Sequence, residues 1–201
     1  MSRFALLIAL LSFTTLVQAE GSAEAGQQKS LTCSACHGAD GNSLNPEWPS
    51  LAGQHTRYAI RQIKAYQSGE RQNVLMSGMA MGLSEQDIDD LAAYYAAQPA
   101  VLRTADPALV PLGQQIYRGG IAEKGIPACS ACHGPKGVGN LLAGYPVIRG
   151  QHATYTAATL RAYKSGERKT DSSYSQMMRN IAAGLSNEEI IALASYIQGL
   201  R

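Results

Sequence analysis

Large aromatic side chains are scarce in this 201-residue sequence, which contains two Phe and one Trp beside ten Tyr. A chain of this length can form one domain or two small ones. Charged residues make up 16% and hydrophobic residues 45% of the composition, which is typical of a globular protein. Two small domains with so few aromatic residues would have thin cores of protein alone. We therefore expect another group to complete those cores.

Long apolar runs are also lacking beyond the first twenty residues. The one such run is FALLIALLSFTTLV at residues 4–17, which follows Arg3 and leads into VQA at residues 17–19. A positive start, a short apolar core and an A-x-A-type site are typical of a secretory signal peptide. The run is shorter than the roughly 20 residues of a comfortable membrane span. We predict a signal peptide over residues 1–19, cleaved after Ala19; an uncleaved N-terminal anchor is the alternative.

No segment alternates apolar and polar residues for long enough to predict a sheet. The sequence instead contains an internal repeat, with four motifs that occur twice in the same order. The motifs are CSACHG at 33–38 and 129–134, GQHxxY at 53–58 and 150–155, AYxSGER at 65–71 and 162–168, and GLS at 82–84 and 184–186. We predict an all-α protein with a domain at 20–99, a proline-containing linker at 100–111 and a second domain at 112–201.

Apolar residues at helical spacing predict the positions of the main helices. Four helices are expected at residues 23–32, 55–68, 108–118 and 152–165. Two glycines are placed to end the second and fourth of these, Gly69 and Gly166. The last helix of each repeat begins with a capping box, formed by Ser84 with Asp87 and by Ser186 with Glu189.

Each repeat contains one Cys-x-x-Cys-His motif. The residues are Cys33, Cys36 and His37 in the first repeat and Cys129, Cys132 and His133 in the second. Two local disulfides are one interpretation. A thioredoxin-like redox pair lacks its usual βαβ context here, and the two pairs are too far apart in sequence for a typical zinc site. We favour covalent haem attachment, in which the cysteines form thioethers with the haem and each His is a proximal iron ligand.

A methionine is the expected second axial ligand, since it closes the sixth position of the iron and raises the reduction potential. Aligning the repeats on GLS pairs Met76 with Met178, and no other column holds Met in both copies. We therefore predict Met76 and Met178 as iron ligands. The neighbouring Met79 and Met81 pair with Ile and Ala and are predicted to be apolar packing residues.

Two further histidines, His55 and His152, also repeat and are the rival axial ligands. Alternatively, each of these histidines forms a hydrogen bond at the start of a helix or contacts a haem propionate. Pro49 and Pro146 match as well, in the loops after the proximal histidines. A metal-bound His needs an acceptor for its other ring nitrogen, so a backbone carbonyl of one of these loops is a candidate acceptor.

The two CxxCH motifs, GQH…Y, AYxSGER and the M-x5-GLS spacing resemble the diheme cytochromes c4 over the whole predicted mature chain. The resemblance implies two class I cytochrome c domains with two covalently bound haem c, His37/Met76 and His133/Met178 iron, and propionates that meet near the domain interface. It implies a monomeric periplasmic electron carrier, not an enzyme, that does not bind nucleic acid and can associate loosely with the membrane. The expected partners are a quinol-oxidising complex or another donor and a terminal oxidase as acceptor.

Two other functions would produce a closely related sequence. One is the cytochrome subunit of a periplasmic flavin dehydrogenase, and the other is a diheme peroxidase, which needs one open iron.

The two repeats differ in charge and length. Residues 20–102 have five Lys/Arg and nine Asp/Glu, a net charge of −4, whereas residues 103–201 have eleven and six, a net charge of +5. We expect the basic half to dock an acidic partner. The second repeat also has five extra residues between SGER and Met178. The two haem sites should therefore differ in reduction potential.

Overall fold

The computed structural model describes residues 21–201, so the predicted signal peptide lies outside the described residues. The first repeat folds into α1 (Ala23–Lys29), α2 (Leu31–His37), α3 (Thr56–Ser68), α4 (Val74–Met81) and α5 (Glu85–Ala97). The second folds into α6 (Val110–Gly119), α7 (Ser130–His133), α8 (Ala153–Ser165), α9 (Met177–Ala183) and α10 (Asn187–Gln198). Two short 3-10 turns lie at Ala122–Lys124 and Ser172–Tyr174. Residues 21–201 contain isolated β-bridges but no strand, which confirms the predicted all-α class.

The predicted helix ends are largely confirmed. Gly69 and Gly166 end α3 and α8 in the left-handed region, with φ of 78° and 76°. Both capping boxes are formed at the starts of α5 and α10. The helix expected at 23–32 is instead divided at Ser30, whose Oγ donates to the Gln27 carbonyl. The resulting bend separates α1 from the helix that presents the first cysteine motif.

The first and last helices of each repeat cross in direct backbone contact. A Cβ added at Gly26 of α1 would lie 2.0 Å from the Asp90 carbonyl oxygen, and one at Gly113 of α6 would lie 2.3 Å from that of Ala192. Only glycine allows this approach. The crossing of α1 with α5, and of α6 with α10, is the framework of each unit. α3 packs on α5 and α8 packs on α10, while α4 and α9 pack on α3 and α8.

The hydrophobic cores of the two units differ in size. The second unit has a large buried cluster that includes Tyr117, Ile190 and Leu193. The equivalent cluster in the first unit has three buried members, Leu91, Tyr94 and Tyr95, against which Cys33 packs. A protein core this small agrees with the expectation that another group completes it. No helix within residues 21–201 has the length and apolar character needed to cross a bilayer.

The helix crossing in the second unit can be tested with Gly113→Ala. We expect a loss of about 1–3 kcal/mol in the free energy of unfolding, because the methyl group overlaps the α10 backbone. Gly119→Ala in the same helix is the matched control, since a Cβ there meets nothing within 4 Å. Urea unfolding followed by circular dichroism measures both, and equal stability of the two variants would contradict the described crossing.

Candidate haem sites

Both Cys-x-x-Cys-His motifs lie on a short helix that ends at the histidine. The four cysteines are free and half-buried, and the members of each pair are separated by about one helical turn. Gly38 and Gly134 follow the histidines with φ of 83° and 75°, a conformation that favours glycine. The chain therefore turns away immediately after each His. Each motif thus places two cysteines about one helical turn apart, with the histidine directly after the second.

The proximal histidines are held by the same contact in both units. His37 Nδ1 lies 2.8 Å from the Pro49 carbonyl oxygen, and His133 Nδ1 lies 3.1 Å from that of Pro146. A carbonyl can only accept, so Nδ1 carries the proton and Nε2 keeps a lone pair for a metal. Burial lowers the pKa of both imidazoles, which favours the neutral form that ligation requires. The expected loop-carbonyl acceptor is confirmed for both histidines.

The acidity of the cysteines argues against a thioredoxin-like redox pair. Burial raises the pKa of the Cys33 thiol and raises that of Cys129 to about 11. Redox-active cysteines have a lowered pKa that produces the thiolate nucleophile at neutral pH. Burial thus shifts Cys33 and Cys129 away from the thiolate form that a redox pair requires.

The two predicted methionine ligands occupy equivalent helices, but the neighbouring methionines do not behave as predicted. Met76 on α4 and Met178 on α9 are both half-buried, and Met178 packs against the core of its unit. Met79 and Met81 are 54% and 67% exposed, so their prediction as packing residues was wrong. They lie on a short, almost wholly apolar helix that packs on α3 along one side only, which leaves them facing solvent. Ligation by Met76 and Met178 stays a prediction.

The segments before the two methionines are held in different ways. In the first unit, Asn73 caps α4 by accepting a hydrogen bond from the Met76 amide at 2.9 Å. In the second, Asp171 forms an ion pair with Arg179 at 2.7 Å. Ser175 and Gln176 then follow in the left-handed region, with φ of 53° and 58°. Two consecutive non-glycine residues in that region store strain immediately before Met177 and Met178. The five-residue insertion therefore makes the second site structurally distinct.

His55 and His152 join the two units and do not lie free to bind iron. His55 Nε2 donates to the Val138 carbonyl at 2.9 Å, and His152 Nε2 donates to the Ser43 carbonyl at 2.8 Å. Each bond uses Nε2 on a carbonyl of the other unit. The structure therefore argues against the rival bis-His ligation and assigns these residues to the interface.

Neighbouring glutamines repeat the same cross-unit arrangement. The Gln54 side chain accepts from the Val147 amide and donates to the Val147 carbonyl, at 3.0 and 2.9 Å. The Gln151 side chain makes the equivalent pair with Ser50, both at 2.9 Å. Arg103 of the connecting segment donates to the Gly150 carbonyl at 2.5 Å and to the Ser43 carbonyl at 2.9 Å. The GQH motif, present twice, thus builds a pseudo-symmetric interface.

The SGER arginines meet at the centre of this interface. Arg71 donates to the Tyr155 hydroxyl at 2.8 Å, and Arg168 donates to the Tyr58 hydroxyl at 2.9 Å. Both arginines also donate to Gln62 Oε1, at 2.9 and 2.7 Å. Arg168 is 5% exposed, and neither guanidinium forms an ion pair with Asp or Glu of the described residues. We call Arg71, Arg168, Tyr58, Tyr155 and Gln62 the arginine cluster.

The arginine cluster is positively charged and contains an unbonded donor. Burial acts to raise the pKa of Tyr155, but the two guanidinium groups outweigh it and lower that pKa. Gln62 Nε2 is also buried without a hydrogen-bond partner. Buried charges are usually paired and buried amide donors are usually bonded, so this cluster fits an anionic acceptor. The propionate groups of haem are carboxylates of this kind, so the residues present fit the group that the cysteine motifs predict.

Comparison with known proteins shows the family of this chain. The cytochrome c family model matches residues 23–96 and 111–201. Cytochrome c4 of Stutzerimonas stutzeri is 46% identical over 96% of each chain, and that of Pseudomonas aeruginosa is 47% identical over 96% of each. This chain belongs to the diheme cytochrome c4 family. It is accordingly a diheme electron-transport protein with two covalently bound haem c.

The cytochrome c4 fold extends over nearly all of the described chain. A crystal structure of reduced recombinant cytochrome c4 from Pseudomonas stutzeri superposes with a TM-score of 0.88 at 47% identity. The match covers 90% of this chain and 100% of the other. The tandem cytochrome c fold expected from the repeat is therefore confirmed.

The interface histidine His152 should make stability depend on pH. Burial lowers its pKa, Arg103 lowers it further, and the bond to the Ser43 carbonyl opposes them. A depressed native pKa contributes stability above the unfolded value of about 6.5 and loses it as the pH falls. We expect His152→Gln to flatten the decrease in unfolding free energy between about pH 7 and pH 5.

Denaturant unfolding of the haem-loaded protein at several pH values measures this effect. His55→Gln is the matched control, since it removes the same kind of cross-unit bond at the less buried copy. An unchanged pH dependence in His152→Gln would show that the imidazole does not titrate in the interface.

Proposed function

We propose that this cytochrome carries single electrons through the periplasm between respiratory partners, with a terminal oxidase as acceptor. The two irons are ligated by His37 with Met76 and by His133 with Met178. The observation that carries the proposal is the shared geometry of the two sites: each proximal His donates Nδ1–H to a proline carbonyl and leaves Nε2 free. An electron carrier needs two such prepared ligands and no catalytic pocket.

The residues of each site have separable roles. Haem supplies an iron that alternates between the ferric and ferrous states. The bond to Pro49 or Pro146 fixes the imidazole tautomer and increases its basicity as a ligand. Met76 and Met178 would close the remaining position, which keeps dioxygen and peroxide from the metal and raises the potential. The arginine cluster would hold the propionate edges together between the units.

A periplasmic location is supported by two features of the chain. Residues 1–19 have the pattern of a secretory signal peptide. The chain is also closely similar to cytochromes c4 over almost its full length. Cleavage after Ala19 would release the remainder of the chain, and mass spectrometry of the purified holoprotein would read the new N-terminus.

A second candidate function is the electron-accepting subunit of a periplasmic dehydrogenase. A protein named thiosulfate dehydrogenase electron acceptor from Stutzerimonas stutzeri is 36% identical over 83% of this chain. Thiosulfate dehydrogenase (TsdBA) from Marichromatium purpuratum superposes with a TM-score of 0.80 at 30% identity, covering 40% of that chain. Co-purification with a dehydrogenase would favour this function, and electron transfer to an isolated terminal oxidase would favour the first.

The ligand assignment is tested by Met76→Ala and Met178→Ala. Each variant should lose about half of the sulfur-to-ferric-iron charge-transfer absorption, because one of two Met–iron bonds is removed. Met79→Ala is the matched control from the same helix and should retain the full band. The absorption spectrum of the oxidised protein measures all three.

Two results would contradict the assignment. A full band in Met76→Ala with a reduced band in Met79→Ala would transfer the ligand to Met79. Rapid binding of carbon monoxide by the wild-type protein would show an open iron and favour the diheme peroxidase.

A further inference from the structure

A cleft of about 640 Å³ lies between the two units, lined by residues of α3 and of the 3-10 turn at Ser172–Tyr174. One wall consists of α3, which contributes Arg57, Arg61 and Lys64 at the spacing of a single helix face. Ser173 and Tyr174 of the second unit form the other wall. None of these residues belongs to the arginine cluster.

Both walls of the cleft contain residues that have no equivalent in the other repeat. In the second copy, the positions of Arg57 and Arg61 are occupied by Thr154 and Ala158. Ser173 and Tyr174 lie in the segment lengthened by five residues in the second repeat. A feature needed to hold a haem would be expected in both copies, as the tyrosines and the arginines of the arginine cluster are. Within residues 21–201 the cleft therefore has no equivalent in the second repeat.

Arg61 is the centre of the cleft and has no hydrogen bond with any part of the chain that the structure describes. Its guanidinium carbon lies 4.6 Å from the ring centroid of Tyr174 and 5.4 Å from that of Tyr58. Its Nε and Nη1 atoms are buried without a partner. Contact with two aromatic rings restrains the guanidinium, while its N–H donors remain without acceptors. The Arg61 guanidinium can therefore donate two parallel hydrogen bonds to an acceptor that has two oxygens.

The other bases of the cleft are already engaged. Arg57 Nη1 donates to the Leu142 carbonyl at 2.9 Å, which ties the cleft to the second unit. Lys64 pairs with Glu85 at 2.7 Å, and Glu70 is a further lining residue. Arg61 is therefore the group whose charge and donors have no partner, with the remaining N–H groups of Arg57 beside it.

Hydroxyl groups are available from both walls. Thr56 lines the α3 side and Ser173 lines the other, and neither side-chain hydroxyl is bonded within residues 21–201. Donors on opposite walls suit a tetrahedral anion with three or four acceptor oxygens better than a planar carboxylate with two. The cleft is also larger than a single oxyanion, so it can accept the remainder of a phosphorylated small molecule.

We propose that this cleft binds a phosphate group, with Arg61 as its bidentate donor and Arg57, Thr56 and Ser173 as supporting donors. The group is either free phosphate or the phosphate of a small ester. Because the donors come from both units, the bound anion joins them. It therefore stabilises their docked arrangement by mass action.

The test is isothermal titration calorimetry on the protein with both haems attached, at low ionic strength and pH 7. Inorganic phosphate and glycerol 3-phosphate are the two probes, and each should give saturable binding. Tighter binding of glycerol 3-phosphate would identify the ligand as a phosphate ester. Tighter binding of inorganic phosphate would identify it as free phosphate. Arg61→Gln should weaken binding by at least about tenfold, because a charge-assisted pair is lost. Arg61→Lys should also weaken binding, since it keeps the charge but loses the fork.

Lys136→Gln is the matched control, because it removes an exposed positive charge of the second unit outside the cleft. It should leave binding unchanged. Equal weakening in Lys136→Gln and Arg61→Gln would overturn the proposal in favour of non-specific screening. No binding of either probe to the wild type would also overturn it, and a lowered thermal stability of Arg61→Gln would then show that Arg61 only joins the units.

Discussion

The rest of the structure depends on two arginines, Arg71 and Arg168, whose side chains cross the interface between the two units. Each donates to a tyrosine hydroxyl of the opposite unit, and both share Gln62 Oε1. A guanidinium removed from water without a counter-charge is costly, and two that share one acceptor also repel each other. The arginine cluster therefore fits an anion, and two haems with their carboxylates are the group that the rest of the chain is prepared to hold.

The repeat explains how one short motif can build this interface. Each unit contributes the same glutamine, histidine, tyrosine and arginine, so the contacts made by one unit are returned by the other. Such a self-complementary surface is the usual consequence of a two-fold arrangement, here within a single chain. The contacts are hydrogen bonds to backbone groups, hydroxyls and an amide, and residues 21–201 contain no ion pair between side chains of the two units. The interface is thus polar, and its hydrogen bonds fix the position of one unit relative to the other.

Much of the fold could be predicted because it depends on neighbours in sequence. The capping boxes at Ser84 and Ser186 and the glycine stops at Gly69 and Gly166 are set within one helical turn. The acceptor for each proximal His could also be predicted, because Pro49 and Pro146 occupy the same position after each motif. These features need no knowledge of how the two units are placed.

The remainder depends on contacts between units or on where a helix lies in the fold. Repetition alone made His55 and His152 rival ligands, but their partners, Val138 and Ser43, lie in the opposite unit. The exposure of Met79 could not be predicted either, since the apolar pattern of α4 does not show how few neighbours surround it. The strained turn at residues 175–176 arises from an insertion whose conformation has no counterpart in the first repeat.

The other differences between the units occur where the two repeats do not match in sequence. The first unit has the smaller protein core, and the second has the insertion before Met178. The phosphate cleft is formed where that insertion meets the two arginines found only in α3. The shared residues thus serve the haems and the interface, whereas the unshared residues make the two ends of the molecule unequal.

A redox titration of Arg168→Gln tests most directly whether the arginine cluster compensates the anionic edges of the haems. Loss of a buried positive charge makes the added electron less favourable, so the potentials should fall by on the order of tens of millivolts. The reduction potentials of Arg168→Lys should fall less than those of Arg168→Gln, and those of Lys136→Gln should equal the wild-type values. Unchanged potentials in a folded Arg168→Gln protein that retains both haems would contradict this account.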